Sequence, residues 1–146
     1  MRSNGMKTCL IDTNVISELV RPEPNQNVIA FLLTLENAAL SIISLHEIHY
    51  GLRLLPASQR RAELEQKMEQ LLSEYRDFII PVDQPEADYA ASFRVQTRQQ
   101  GRTLHLADSL IAGTAKAHNM LIATRNIRDF EGIEVELMNP WEDRRK

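Results

Sequence analysis

Four acidic side chains stand where a chain of alternating strands and helices would collect its ligands. Asp12 directly follows an apolar run, Glu47 lies just beyond a second, Asp129 just beyond a later one, and Asp108 occupies the first turn of a small-residue helix. Open parallel sheets bind ligands beyond the carboxyl ends of their strands, so distant parts of the sequence would deliver these acids to one rim. Carboxylates crowded there raise one another's pKa and require a cation. Oxygen donors without a matching cysteine or histidine set select hard ions, and magnesium or manganese fits better than zinc. Such an ion activates water and stabilises charge on a phosphodiester, which points to hydrolysis of a nucleic-acid backbone.

Each acid alone also has a plainer reading, so the inference rests on the four together. Asp12 could cap the helix that follows it, although Thr13 is available for that role. Ser44-Leu45-His46-Glu47 has the form of a capping box, which makes Glu47 as readily structural as ligating. Asp108 could serve the helix dipole, worth about 0.3–1 kcal/mol. Asp129, beside Phe130, could be a solvated turn residue.

Other side chains offer less. His46-Glu47-Ile48-His49 superficially resembles a zinc-protease helix, but that motif needs histidines four apart with glutamate after the first, and here they are three apart. His46, His49, His105 and His118 read as partly buried polar residues. Cys9 is the sole cysteine, in an apolar run, and reads as a small buried side chain suited to a reducing compartment. Arg94, Arg98 and Arg102 recur every fourth residue and form a stripe that could follow RNA phosphates or simply be solvated; the same holds for Arg144, Arg145 and Lys146.

The elements needed to position the acids can be read from periodicity and punctuation. Thr8 to Ile11 predicts a strand, and Thr13 to about Val20 a helix stopped before Pro22 and Pro24. A second helix starts at Asn25 or Asn27 with Val28, Ile29, Phe31, Leu32 and Leu35 on a broad face. Ala39 to Ile43 predicts a buried strand, and Ser44 begins a helix carrying Ile48, Leu52 and Leu55. A long amphipathic helix spans about Ser58 to Tyr75. Phe78 to Val82 predicts a strand that Pro81 keeps short or at an edge. Asp83 with Glu86 opens a helix that ends at Gly101. Ala107 to His118 is a small-residue helix closed by Asn119, followed by strands at Met120 to Ala123 and Val135 to Leu137. Alternation of this kind predicts an α/β fold: a mainly parallel sheet of four to five strands with helices on both faces.

The 146 residues, 43% hydrophobic and 25% charged, suit one domain over 1–146, with the polar residues 1–5 ahead of Met6 as a disordered leader. No apolar stretch approaches the roughly 20 residues of a membrane span, and the start lacks the apolar middle of a secretion signal, so a cytoplasmic protein is expected. A net charge of −3 counts against a broad basic nucleic-acid surface. It does so less if several acids are gathered in one cation-neutralised pocket.

The motifs together resemble PIN-domain toxins of the VapC type, and within them the FitB-like branch. Cys9-Leu10-Ile11-Asp12-Thr13-Asn14-Val15-Ile16-Ser17-Glu18 is similar to the family's opening strand and first acid; Ser44 to Gly51 resembles the second acid motif. Leu106 to Ala115 resembles the third acid on its helix, and Thr124-Arg125-Asn126-Ile127-Arg128-Asp129-Phe130 the closing motif. The resemblance implies a PIN-domain fold and a magnesium- or manganese-dependent endoribonuclease, the toxin of a type II toxin–antitoxin pair, with metal-activated water as nucleophile. Asp12, Glu47 and Asp108 would bind the main metal, Asp129 would serve a second ion or position water, and Asn14 and Thr124 would support the pocket, with Thr13 beside them. It resolves Glu47 in favour of the site. It also implies RNA as substrate, a homodimer, and an antitoxin that alone contacts operator DNA. Two departures stand out: Gly113 replaces the commoner alanine, which loosens the helix or permits close packing, and Asn126 stands where some PIN proteins carry another aspartate. Two rival readings stand against it: a catalytically weak PIN-fold module acting with an antitoxin, which the intact acids oppose, and a receiver-type phosphoacceptor domain, for which no suitably placed lysine follows a strand.

Overall fold

The computed structural model describes residues 7–142. The expected leader at 1–5 and the basic run Arg144, Arg145 and Lys146 lie outside the described residues. Five short strands, β1 (Cys9–Ile11), β2 (Ala38–Ser41), β3 (Ile79–Ile80), β4 (Leu121–Ala123) and β5 (Glu136–Met138), form one sheet in the order β3-β2-β1-β4-β5. Every adjacent pair is parallel. Six helices accompany them: α1 (Thr13–Leu19), α2 (Gln26–Leu33), α3 (Ile42–Leu54), α4 (Gln59–Ser73), α5 (Gln84–Gln99) and α6 (Leu106–Ala117).

The central strands are apolar throughout because both faces of the sheet are covered. Their period-two alternation divides two cores. Cys9, Ile11, Leu40 and Ala123 face Val15, Ile16, Val28, Ile48, Met68 and Leu72 from the first four helices. Leu10, Ala39 and Ile122 face Phe93, Ile111, Ala112 and Ala115 from α5 and α6, together with Leu104 and Phe130. Each fully buried leucine or isoleucine here contributes on the order of 1.5–3 kcal/mol relative to exposure. Burial pushes the Cys9 thiol up to about 12, offset only in part by a backbone hydrogen bond at Ala123, so it acts as a core side chain.

Helices α5 and α6 run antiparallel. Glu86 near the start of α5 meets His118 just past the end of α6, with Oε2 and Nε2 2.6 Å apart. The Glu86 Oε1 also accepts from the Asp83 N–H at 2.8 Å, the return bond of the expected capping box. Gly101 (φ 80°) ends α5, and Asn119 (φ 54°) turns the chain from α6 into β4, as their left-handed tolerance predicts.

Several boundaries differ from the sequence reading. The second strand stops at Ser41, whose hydroxyl accepts from the Ile43 N–H at 3.0 Å and caps α3. Ser44 is therefore inside α3, fully buried, and no capping box links it to Glu47. The helix after β1 is capped by Asp12 rather than Thr13. Strand β3 holds only two residues, as Pro81 foretells, and β5 starts one residue later than expected.

Candidate active site

Asp12 leaves β1 with an extended backbone, and its N–H donates to the Ala123 carbonyl at 2.9 Å, so it stands at the carboxyl rim between β1 and β4. Its carboxylate is almost wholly enclosed. Oδ1 accepts from the Thr13 N–H at 2.8 Å; Oδ2 accepts from the Thr124 hydroxyl at 2.7 Å and from Asn14 Nδ2 at 3.2 Å. Burial raises the Asp12 carboxyl above its ordinary range; the bonds from Thr124, Thr13 and Asn14 oppose that rise and the Glu47 charge adds to it.

The other supporting residues extend this network. Thr124 Oγ1 also accepts from the Asn126 N–H at 3.0 Å, which fixes the turn toward Asp129. Asn14 Oδ1 accepts from the Arg125 N–H at 3.1 Å. Thr13, freed from capping, donates its hydroxyl to Glu47 Oε1 at 2.7 Å and so ties α1 to α3. Asn126 contributes through its backbone while its side chain is exposed.

Asp108 sits half-buried in the first turn of α6. Its carboxyl is pushed up to about 6, by burial first and then by the negative charges of Asp12, Asp129 and Glu47, with His105 acting weakly in the other direction. The charges of Asp12, Glu47 and Asp129 therefore all reach Asp108, and that of Glu47 reaches Asp12. Asp129 is the exposed member, in the 3-10 turn Ile127–Phe130 that Phe130 anchors in the core. Among the described residues no three His, Cys, Asp or Glu side chains stand close enough together to form a ready-made metal cage. Neutral donors around Asp12 and Glu47 offset part of the repulsion.

The remaining candidates fall elsewhere. Exposed His46 stacks on Tyr50, with ring centroids 6.2 Å apart, and His49 lines a groove of about 500 Å³ between α3 and α4. Arg94 and Arg98 project from α5 and line a concavity of about 320 Å³ with Arg102, Thr103 and Leu104. Arg102 lies beyond the end of α5, not on it. Its guanidinium donates to the Glu131 carbonyl and, at 3.3 Å, to the Arg128 carbonyl, bracing the turn that carries Asp129.

The family profile described as PIN domain matches residues 9–135. This chain belongs to the PIN-domain family. Among its relatives, Toxin FitB of Neisseria gonorrhoeae is 39% identical over 137 residues, covering 92% of this chain and 99% of that protein. VapC ribonuclease Y4jK of Sinorhizobium fredii is 35% identical over 136 residues, covering 91% and 97%. Among solved structures of similar PIN chains, that of FitAB bound to an IR36 DNA fragment superposes with a TM-score of 0.85 at 39% identity over 92% of this chain and 96% of the other. VapBC2 from Rickettsia felis bound to a DNA fragment from its promoter gives a TM-score of 0.78 at 27% identity over 90% and 98%. The α/β fold and the expected resemblance to FitB-like PIN toxins are thereby borne out.

Sequence reasoning missed one pair at this rim. The Arg125 guanidinium lies 4.8 Å from the centroid of the Trp141 ring. The adjacency of Arg125 to Thr124 was a usable signal, whereas Trp141 follows β5 and gives no local hint of where it packs.

Proposed function

We propose that this PIN-domain chain is a divalent-metal-dependent endoribonuclease acting as the toxin of a type II toxin–antitoxin pair in the cytoplasm. The observation that carries the reading is that Asp12, held by Thr124, Asn14 and the Thr13 N–H, and Glu47, bonded to the Thr13 hydroxyl, stand at the carboxyl rim of a parallel sheet, with Asp108 near enough to feel their charges. The relatives support the biological role: a toxin, a VapC ribonuclease, and FitAB and VapBC2 bound to DNA.

The donors suit a hard cation. Every acid offers oxygen and, among the described residues, no matching cysteine or histidine set accompanies them, which suits magnesium or manganese, ions that keep several waters and complete their shells with few carboxylates and a substrate phosphate. Asp12, Glu47 and Asp108 would hold it, with Asp129 reserved for a second ion or a water. When bound, the ion supplies Lewis acidity toward a phosphoryl oxygen and a lowered pKa for water.

The chain's own residues do the rest. Thr124, Asn14 and the Thr13 N–H fix the Asp12 oxygens, leaving little rotational freedom. Thr13 orients Glu47 from across the rim. Burial and the neighbouring charges raise Asp108 to about 6, so without a cation it ionises only above the ordinary carboxylate range. Arg94 and Arg98 offer positive charge to RNA phosphates further out, with Arg102 bracing the Asp129 turn. A cognate antitoxin, itself the reader of operator DNA, and a homodimeric state belong to the same reading.

The deciding experiment incubates purified, antitoxin-free protein with RNA. Cleavage with magnesium or manganese, stopped by chelator and nearly abolished by Asp12→Asn, is expected. Equal cutting by the variant would assign the activity to a contaminant.

A further inference from the structure

Arg125 stands one residue past Thr124, whose hydroxyl holds Asp12, and its backbone N–H donates to Asn14 Oδ1 at 3.1 Å. Its backbone thus belongs to the acid network. Its guanidinium does not: it makes no ion pair among the described residues, and it is not among the charges that shift Asp12 or Asp108. An arginine beside acids would ordinarily close onto a carboxylate in a charge-assisted bond. Here it lies over the Trp141 ring. Trp141 is itself pinned, its N–H donating to Asn139 Oδ1 at 2.9 Å and its carbonyl accepting from Asn27 Nδ2 at 2.8 Å.

We propose that Arg125, held by Trp141, forms the edge of the acid site that grips single-stranded RNA: the guanidinium takes a phosphate flanking the scissile bond, and the indole, packed against the first core, holds the guanidinium in place for it. The proposal rests on the ribonuclease reading above. An acidic rim repels a polyanion, so a substrate strand needs a cation close by that is not consumed by the acids. Stacking on the ring withholds Arg125 from them while leaving its N–H edge for phosphate oxygens, which its planar fork matches. Cations interleaved with aromatic rings are the general means of holding unpaired nucleic acid without reading its sequence. The anchored Trp141 backbone fixes where the guanidinium lies.

Trp141 is the sole tryptophan, so its emission reports on this edge alone. The Asp12→Asn variant is titrated with a short, end-labelled single-stranded RNA of mixed sequence while that emission and the anisotropy of the labelled RNA are followed, with and without Arg125→Gln; the anisotropy alone serves for Trp141→Phe. A saturable emission change is expected. Arg125→Gln should weaken apparent affinity about tenfold, the scale of one lost good contact, and lower the slope of log affinity against log salt by about 0.7, one phosphate contact to a single strand. In the otherwise unaltered enzyme Arg125→Gln should raise KM with kcat little changed, and Arg125→Lys should recover part of the loss. Trp141→Phe, which keeps the charge, should raise KM without changing the salt slope, and it serves as the second variant if Arg125→Gln melts early. Unchanged emission with unchanged affinity and salt slope overturns the proposal. RNA cleavage by the unaltered chain that Arg125→Gln leaves intact also overturns it, while the ribonuclease reading stands. Failure of the unaltered chain to cleave RNA removes that reading instead, and the emission titration still decides this one.

Discussion

The backbone of Gly113 lies against that of Glu86 so closely that a Cβ on Gly113 would sit 2.3 Å from the Glu86 carbonyl oxygen and 2.9 Å from the Ala90 nitrogen. The glycine in the small-residue helix is therefore the contact at which α6 docks onto α5. Asp108 rides on α6, so the position of an acid depends on that approach.

Gly113→Ala sets two effects against each other. Alanine improves helix propensity by about 1 kcal/mol, but the new methyl meets fixed backbone rather than a flexible side chain, and overpacking of this kind costs about 1–3 kcal/mol. The substitution should lower stability, read as an earlier midpoint in denaturant melts. A variant as stable as the parent would mean that α5 and α6 separate freely.

Asp108 predicts how the metal-free protein responds to pH. Its carboxyl moves from an ordinary 3.8 to about 6 on folding, by burial first and then by Asp12, Asp129 and Glu47. A pKa raised on folding contributes stability that is complete below the unfolded value and is lost as pH rises through the folded one. In chelator, Tm should thus fall between roughly pH 4 and pH 7, and Asp108→Asn should flatten that slope. Added magnesium or manganese should restore Tm at pH 7. A slope that survives Asp108→Asn unchanged assigns the effect to another group.

Ser44 has a fully buried hydroxyl with no partner among the described residues. Removing an unsatisfied buried polar group is neutral or favourable, and alanine is also the better helix former. Ser44→Ala should raise stability by about 1 kcal/mol without altering RNA cleavage. Destabilisation would show that the hydroxyl is hydrogen-bonded in solution.

The acids were legible because Asp12 directly follows a strand, Asp108 opens a helix, and Glu47 and Asp129 come within six residues of a strand end, which a parallel α/β chain converts into a shared rim. What stayed hidden was local competition between neighbouring caps. Asp12 and Thr13 can both cap α1; the chain uses Asp12, because the Thr13 hydroxyl finds Glu47 instead. Ser41 was concealed in an isoleucine-rich run that reads as uninterrupted strand, so Ser44 took its role in the sequence reading. Spacing alone also placed Arg102 on the arginine stripe, although Gly101 had already ended the helix. Arg125 over Trp141 is a long-range contact, and no period along the sequence encodes it.

Asp12 is at once the cap of α1 and the most enclosed acid of the rim, whereas Asp129 is exposed and neither it nor Asp108 accepts a side-chain hydrogen bond among the described residues. Silencing mutations should accordingly be unevenly distributed. Those at Asp108 or Asp129 can disarm the chain yet leave a sound fold able to occupy its partner, while many at Asp12 would also deplete the protein itself. Cells under pressure to survive such a toxin would arrive at two different populations: inert decoys and outright losses.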